Sequence, residues 1–411
     1  MTLRRSHLGF LAAALLLAGA SPVPAQAPAA EAGSVPLAEW IREGERQDFG
    51  WDLDVEGPRL RMDQRHEVAI TAAVKAGDLG ESVTGHPLSL VAAVTGRDGE
   101  WLAGSPPVQE SLGGEAHRET RVELEMYLAL TPGEYVLWIA LHDQTTGLRN
   151  VDRRNVSVDR INDDPLPLAY ADFPQVEFAQ VEKTGGLTVR LFGSDLAVPV
   201  ASARPLEVEL IAVLSAPEQW PGGAAFVRHT ENVLGGLTAL SQMDLTAGSL
   251  SLTGLDLLRR EVVLEHRPVE HMDTLGLVDA FDAVNRSPIP LEALMESTQN
   301  AAFLRKYIEE RVAGHLDDSD VRPSGGEKPL RVLILLGGVM RFEDDSDLSP
   351  VELEGACDCR VYHVRFKQEL QDLFDQVDDV LEPFDPPTFD VFTPRDFRKA
   401  IGEIVRDLER S

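Results

Sequence analysis

The sequence is poor in cysteine, in basic residues and in long uncharged apolar runs. Its 411 residues include only two cysteines, Cys357 and Cys359, separated by Asp358. Two thiols exclude a disulfide scaffold and a four-thiolate zinc site within one chain. An oxidising compartment would permit a disulfide between them, although so short a loop would be strained. The alternative is two reduced small residues beside a strand.

Basic residues are outnumbered, with 38 Lys and Arg against 68 Asp and Glu, so the formal net charge is −30. Binding of nucleic acid depends on Lys and Arg releasing counterions from the phosphates, so we expect no nucleic-acid partner. An acidic surface favours solubility and attraction to cations or basic partners. The apolar fraction of 43% is ordinary for a globular protein and argues against a disordered acidic chain.

The one prominent apolar run covers residues 8–20 and comes after two arginines, Arg4 and Arg5. This pattern, with small residues before a Pro- and Ala-rich stretch, predicts a signal peptide over residues 1–25 that is cleaved after Ala25. Cleavage would remove both arginines and make the net charge more negative by two. No cysteine stands after the cleavage site, so no lipoprotein anchor is expected. The run is shorter than the roughly 18 residues of a retained membrane span, which predicts a periplasmic or secreted protein without one.

The mature chain exceeds the length of about 250 to 300 residues at which one core usually splits, so several domains are expected. Residues 36–160 contain strand-length segments with period-two alternation, separated by Gly, Pro, Asp and Asn turns. Strands at this spacing without a helical period predict an antiparallel, immunoglobulin-like β-sandwich. The clearest segments are Glu67–Val74, Ser89–Val94, Arg121–Leu128 and Tyr135–His142.

The pattern changes twice after the sandwich. Residues 161–204 are interpreted as a linker with a few extra strands, which either close the sandwich or pack against the C-terminal half of the chain. In residues 205–411, strands alternate with helical patterns, and Leu330–Leu336 is apolar enough for burial on both faces. The last helix is predicted to begin at Pro394 with Thr393 as its N-cap. Together these features predict an α/β doubly wound, Rossmann-like domain.

The order of elements from Leu206 onward resembles a von Willebrand factor type A (vWA) domain. In particular, it is similar to secreted bacterial vWA-related proteins that carry a β-sandwich before that domain. Segments Val361–Arg365 and Phe389–Ala400 carry much of the likeness. The resemblance implies a vWA-like α/β domain over residues 205–411.

Members of this family hold Mg²⁺ or another hard cation with an Asp-x-Ser-x-Ser loop, a Thr and a second Asp. In this sequence Ser215, Pro217 and Gln219 occupy the positions of that loop, and Gly338 matches the second Asp. The ion would therefore lose the two carboxylates that offset its dehydration. The comparison predicts a degenerate site, with no bound metal and no cofactor.

Two acidic runs are candidates for a replacement cation site. Asp344, Asp345 and Asp347 come after the central strand, but the spacing lacks the glycine and the terminal acid of a calcium loop. We interpret them as a solvated acidic loop. The run Asp317–Asp320 stands at the end of a predicted helix, where acids oppose the dipole, and is assigned to a linker.

Motifs of common enzymes are not found in the sequence. There is no Gly-x-Ser-x-Gly elbow around Ser215, no phosphate-binding Gly-rich loop and no Cys-x-x-Cys pair. The stretch His266–His271 has one residue too many for an inverted zinc-protease motif, and Pro268 would break its helix. No catalytic, cofactor-binding or metal-ligating residue is therefore assigned.

These observations predict a non-catalytic extracytoplasmic binding or scaffolding protein that uses a metal-free vWA-like domain to contact another extracytoplasmic protein. The contact patch is expected around Ser215–Gln219 and Val339–Asp345. Two alternatives stay open: a secreted hydrolase with an unrecognised site, and cation binding through substitute ligands.

Overall fold

The structure is a computed structural model. It describes residues 35–411 except for the segments 80–84, 112–118, 185–186, 216–222, 267–268, 270–271, 297–298, 318–327, 341–349, 352–356 and 368–374. The predicted signal peptide lies outside the described residues. Among the helices that are described, none is both long and apolar enough to cross a membrane.

The first part of the chain is built from short strands with two short helices. Its elements are α1 (Leu37–Glu43), β1 (Arg46–Gln47), β2 (Asp52–Leu60), β3 (His66–Lys75), α2 (Ala76–Leu79), β4 (Pro87–Gly96), β5 (Trp101–Gly104), β6 (Val108–Ser111), β7 (Arg121–Leu130), β8 (Gly133–Asp143), β9 (Arg149–Val158) and β10 (Val176–Phe178).

These strands form two antiparallel sheets that face one another. One has the order β1-β9-β8-β4-β5, with β6 also paired to β4, and the other has the order β10-β7-β3-β2. Alternate side chains of both sheets, such as Ile70 and Leu128 from one and Leu90 and Ile139 from the other, meet in one buried cluster. This is the pattern expected when strands with period-two alternation bury one face of each sheet.

The second part contains the longer helices. Its elements are β11 (Gln180–Thr184), β12 (Leu187–Leu191), β13 (Val198–Val200), β14 (Leu206–Val213), α3 (Gly223–Leu240), β15 (Met243–Leu245), β16 (Gly248–Asp256), β17 (Glu261–His266), α4 (Thr274–Arg286), α5 (Leu291–Met295), α6 (Asn300–Asp317), β18 (Leu330–Gly338), β19 (Cys359–Phe366), α7 (Val377–Leu381), a 3₁₀ helix (Glu382–Phe384), β20 (Thr388–Val391) and α8 (Pro394–Leu408).

A mixed six-stranded sheet organises this part, in the order β17-β16-β14-β18-β19-β20. Its strands are parallel except for β17, which forms an antiparallel pair with β16. Side chains on one face, such as Leu210 and Ile334, pack with α3, α4 and α8. Those on the other face, such as Ile211 and Leu335, pack with α6 and α7.

The fold class predicted from the sequence is wrong. The sequence predicts an α/β doubly wound (vWA-like, Rossmann-like) C-terminal domain preceded by an antiparallel Ig-like sandwich. The structure is mostly strand, 43% against 26% helix, with several antiparallel sheets, and it is not a doubly wound vWA fold. The reason for the error is that strand periodicity does not encode strand direction. Period-two alternation identifies the strand that begins at Glu261, but not that it forms an antiparallel hairpin with β16.

The segment interpreted as a linker contributes to several sheets. Strand β10 extends the sandwich by pairing with β7, whereas β13 pairs in parallel with β15 beside the mixed sheet. Strands β11 and β12 form a hairpin of their own. Residues 176–200 therefore bridge the two parts of the chain.

One buried arginine joins these parts. Arg398 of α8 is 1% exposed, and its Nε and Nη2 donate to the two carboxylate oxygens of Asp164 at 2.6 and 2.9 Å. Nη2 also donates to the carbonyl oxygen of Leu166, and Nη1 lies 3.4 Å from Oε1 of Gln64 in the β2–β3 loop. The Tyr170 hydroxyl donates to the carbonyl oxygen of Gln64 at 2.7 Å. One guanidinium thus contacts α8, the linker and the sandwich.

Close packing accompanies this contact. A Cβ atom at Gly402 of α8 would lie 2.5 Å from Cβ of Pro165, closer than side chains approach one another. Glycine at position 402 therefore lets α8 approach Pro165 of the linker closely.

We expect Gly402→Ala to lower the free energy of unfolding by about 1–3 kcal/mol, because the added methyl group must push α8 away from Pro165. Urea unfolding followed by circular dichroism measures the change. Lys399→Ala, at an exposed position of the same helix, is the control and should stay within about 0.5 kcal/mol of wild type. Equal stability of the Gly402→Ala variant and wild type would show that this contact is not tight.

Candidate functional site

The predicted contact patch at the carboxyl ends of the parallel strands is only partly described. Ser215 and Gly338 lie at the ends of the neighbouring strands β14 and β18, and both are buried. The Ser215 hydroxyl accepts a 3.3 Å hydrogen bond from the Leu257 amide. Pro217, Gln219 and the acidic run Asp344, Asp345 and Asp347 lie outside the described residues.

The described part of this rim holds a carboxylate that is already engaged. Asp256, at the end of β16, accepts from the amides of Leu258 and Arg259 and forms an ion pair with the Arg259 guanidinium at 2.5 Å. Arg259 donates in turn to the carbonyl oxygen of Val284 at 2.8 Å. These contacts connect β16 to α4 and leave little of the Asp256 carboxylate for another ligand.

The other residues singled out in the sequence lie apart from this rim. Cys357 and Cys359 form a disulfide with a Cα–Cα distance of 5.2 Å, beside an ion pair of 2.6 Å between Asp358 and Arg204. His266 ends β17, whereas His271 is not among the described residues. Of the acidic run at 317–320, only the backbone of Asp317, at the end of α6, is described.

A cavity of about 620 Å³ lies where the β2–β3 loop, β12 and α3 meet. Gly235 of α3 is one of its lining residues, and a Cβ atom there would lie 2.7 Å from Cβ of Met62. The loop therefore lies directly against α3. Charged and polar lining residues are Arg61, Asp63, Arg65, Thr188, Arg190, Asp195, Thr230, Glu231, Thr238, Ser241, Gln242, Asp244 and Thr274.

Arg65 is the unusual residue of this cavity. Its side chain makes cation–π contacts with Phe173 and Phe192, with the guanidinium carbon 5.2 Å from each ring centroid. It is 2% exposed, and it donates to the carbonyl oxygen of Ser194. Within the described part of the chain, its Nε has no hydrogen-bond partner, and no carboxylate forms an ion pair with it. A buried cation without a counter-ion is costly, so this position calls for a physical explanation.

The wall next to Arg65 concentrates further cations around one buried carboxylate. Glu67 is fully buried and lies 3.1 Å from Arg59, 2.7 Å from Arg61 and 3.5 Å from Arg190. An adjoining groove of about 590 Å³ shares this wall and adds Arg228 and Lys367. The cavity alone is lined by three arginines and four acidic residues, but the lining of the cavity and groove together has six Lys and Arg against four Asp and Glu, in a chain whose net charge is −30.

A histidine lies buried at the same junction. Burial, together with the positive charges of Arg398 and Arg395, lowers the pKa of His66 to about 4. Burial also lowers the pKa of His229, in α3, to about 4. Both side chains are therefore neutral in the folded protein at neutral pH.

A second cluster of titratable residues lies on the α6 and α7 side of the mixed sheet. It comprises His363 of β19, Asp375 and Asp378, whose ligand-type atoms all lie within 4.8 Å of one another. Sequence reasoning missed this group, although a buried His in a strand with an Asp-x-x-Asp spacing after it was visible. It missed the Arg65 cavity too, whose walls come from positions more than 100 residues apart and carry no local motif.

Comparisons with known proteins do not identify the chain. No family model matches it, and no curated protein does. A glycosyl hydrolase family 2 member from Bacteroides cellulosilyticus aligns at 10% identity over 82% of this chain and 37% of its own, with a TM-score of 0.20. A sporulation control protein from Bacillus subtilis aligns at 16% identity over 27% of this chain and 50% of its own, with a TM-score of 0.17. Similarities this low support no inference on fold or function.

The two neutral histidines predict a loss of stability in acid. Their folded pKa lies below the unfolded value of about 6.5, so as pH falls from 6.5 towards 4 the unfolded chain takes up protons that the folded chain does not. Each should contribute a loss of about 3 kcal/mol, complete below pH 4. We expect His66→Gln to remove one such contribution, measured as a smaller drop in urea midpoint between pH 7.5 and pH 4. The same pH dependence in His66→Gln and wild type would contradict this assignment.

Proposed function

We propose that the chain is a non-catalytic binding protein that acts outside the cytoplasm and holds an acidic group of its partner in the cavity around Arg65. Export is supported by the signal-peptide pattern of residues 1–25. The observation that carries the binding proposal is the buried guanidinium of Arg65, which has no carboxylate partner among the residues that the structure describes.

The arrangement of Arg65 suits recognition of a carboxylate. Contacts with Phe173 and Phe192 and burial restrict the Arg65 side chain, so little side-chain entropy remains to be lost on binding. The N–H donors of a guanidinium lie in its plane, where a carboxylate can accept them. A carboxylate of the partner would supply the counter-ion that this buried cation lacks.

The size of the cavity is compatible with this ligand class. A volume of about 620 Å³ falls within the usual range of ligand pockets, about 300 to 1,000 Å³. Arg61 and Arg190 in the same wall and Arg228 in the adjoining groove would favour further negative charges on the ligand. We infer that the partner is another extracytoplasmic protein that presents an acidic segment.

The cavity is better suited to binding than to catalysis. Its described lining residues include neither histidine nor cysteine, the side chains most used as general base and as thiol nucleophile. Two of its arginines are engaged by carboxylates, Arg61 with Asp63 and Glu67, and Arg190 with Glu67. Binding of an acidic ligand requires hydrogen-bond donors and positive charge, which this wall provides, and no catalytic side chain.

We expect wild-type protein to bind a fluorescein-labelled oligoglutamate peptide in a fluorescence polarisation assay, and Arg65→Met to bind it about 10- to 100-fold more weakly. This range corresponds to the loss of a charged hydrogen bond of about 1.5–3 kcal/mol. Arg65→Lys should recover only part of the affinity, because lysine lacks the planar fork.

Arg97→Met is the matched control, because Arg97 is an exposed arginine of the sandwich, away from the cavity. It should bind like wild type. A melting curve verifies that each variant is folded. Equal affinity of folded Arg65→Met and wild type, or no binding of the acidic peptide by wild type, would refute the proposal.

A further inference from the structure

The cluster of His363, Asp375 and Asp378 is independent of the arginine cavity. It lies on the opposite face of the mixed sheet, close to the carboxyl end of β18, where Asp375 accepts a hydrogen bond from the Met340 amide at 3.1 Å. His363 and Asp375 are buried, at 1% and 4% exposure. Nothing in the binding proposal uses these three side chains.

The hydrogen bond between His363 and Asp378 orients the imidazole. Nδ1 of His363 lies 3.0 Å from Oδ1 of Asp378. The Asp378 carboxylate can accept a hydrogen bond from Nδ1, so Nε2 is the ring nitrogen that can bind a ligand.

Nε2 of His363 lies near a second possible ligand atom, Oδ2 of Asp375. Oδ1 of Asp375 accepts from the amides of Met340 and Val377, but Oδ2 has no hydrogen-bond partner among the described residues. Nε2 of His363 is 3.8 Å from this oxygen, too far for a hydrogen bond.

Arg365 does not form a hydrogen bond with Oδ2 of Asp375. Its Nη1 is 2.6 Å from Asp378 and its Nη2 is 2.7 Å from Asp390, whereas the distance from Nη1 to Oδ2 of Asp375 is 3.6 Å. Lys367 also pairs with Asp390, at 2.7 Å. Three carboxylates, those of Asp375, Asp378 and Asp390, thus share two basic side chains, Arg365 and Lys367.

We propose that Nε2 of His363 and Oδ2 of Asp375 bind a divalent transition-metal ion, of the class of Zn²⁺, with Asp378 as the positioning residue that orients the imidazole. An imidazole with a carboxylate is a ligand pair for Zn²⁺, whereas Mg²⁺ and Ca²⁺ prefer oxygen ligands alone. Ligating histidines commonly donate their other N–H to a carboxylate, as His363 does. Water completes the coordination.

The geometry requires only a small adjustment. Tetrahedral Zn²⁺ holds a nitrogen and an oxygen ligand about 3.4 Å apart, so the 3.8 Å gap must close by a few tenths of an ångström. Such an ion would tie β19 to the segment that begins α7, and through Asp375 to the end of β18. Its role would be structural, independent of the ligand in the arginine cavity.

The test is a Zn²⁺ titration of the full chain, stripped of metal, in competition with a chromophoric chelator. X-ray absorption spectroscopy of the loaded protein identifies the ligands. We expect one Zn²⁺ per chain and a coordination shell with one imidazole and oxygen donors. His363→Gln and Asp375→Asn should abolish this binding, and Asp378→Asn should weaken it about 10- to 100-fold, as loss of a carboxylate behind a ligating histidine does.

His86→Gln is the matched control. His86 lies 3.0 Å from Asp143, the same distance as in the His363 pair, but it belongs to no such three-residue group among the described residues. This variant should bind Zn²⁺ like wild type. If His363→Gln fails to fold, the absorption spectrum of wild type decides alone. Undiminished binding in folded His363→Gln, a shell without imidazole or with sulfur, or no stoichiometric Zn²⁺ in wild type overturns the proposal.

Discussion

The structure depends on the buried contact between Arg398 and Asp164. Breaking a buried ion pair by removing one partner typically costs about 3–5 kcal/mol, because the remaining charge stays buried without compensation. Here the guanidinium also reaches Gln64 and the carbonyl oxygen of Leu166, so the sandwich, the linker and α8 meet at one group. Gly402 permits α8 to approach the linker closely enough for this contact. The contact therefore also sets the position of the β2–β3 loop.

That loop in turn places the cavity. Gln64 stands next to Arg65, so the contact that fixes one residue also fixes the cavity wall. The same junction contains the fully buried Glu67 with its three arginines. A dry apolar junction would hold the two parts together without the desolvation cost of so many charges. Their concentration beside a cavity is more easily understood as recognition of a charged ligand than as a device for stability.

Local features of the sequence were predicted well, and long-range ones were not. The four strand segments predicted in the sandwich coincide with β3, β4, β7 and β8, because alternation is a local signal. The start of α8 was also predicted: Thr393 is its N-cap, with the hydroxyl accepting from the Asp396 amide at 3.2 Å. The antiparallel direction of β17 and the mainly β class of the chain depend on pairing, which periodicity does not show.

In the candidate sites, too, local features were predicted from the sequence and long-range contacts were not. Ser215 and Gly338 were brought to one rim by the strand order, but the cavity combines the β2–β3 loop, β12 and α3, whose charges meet only in three dimensions. His363 and Asp375 are only 12 positions apart, yet their juxtaposition requires β19 to pass beside the start of α7. The family resemblance predicted a contact patch at the rim formed by Ser215 and Gly338. Nε of Arg65 and Oδ2 of Asp375, the two buried atoms without a described hydrogen-bond partner on which the proposals rest, lie elsewhere.

The most direct test of the central claim is a crystal structure of the full chain grown with selenate, with data collected at the selenium edge. An anomalous peak is expected in the cavity, within hydrogen-bond distance of the Arg65 guanidinium. A carboxylate of the chain's own in that position, or a cavity without selenate while other surface arginines bind it, would show that Arg65 does not hold an acidic group of a partner.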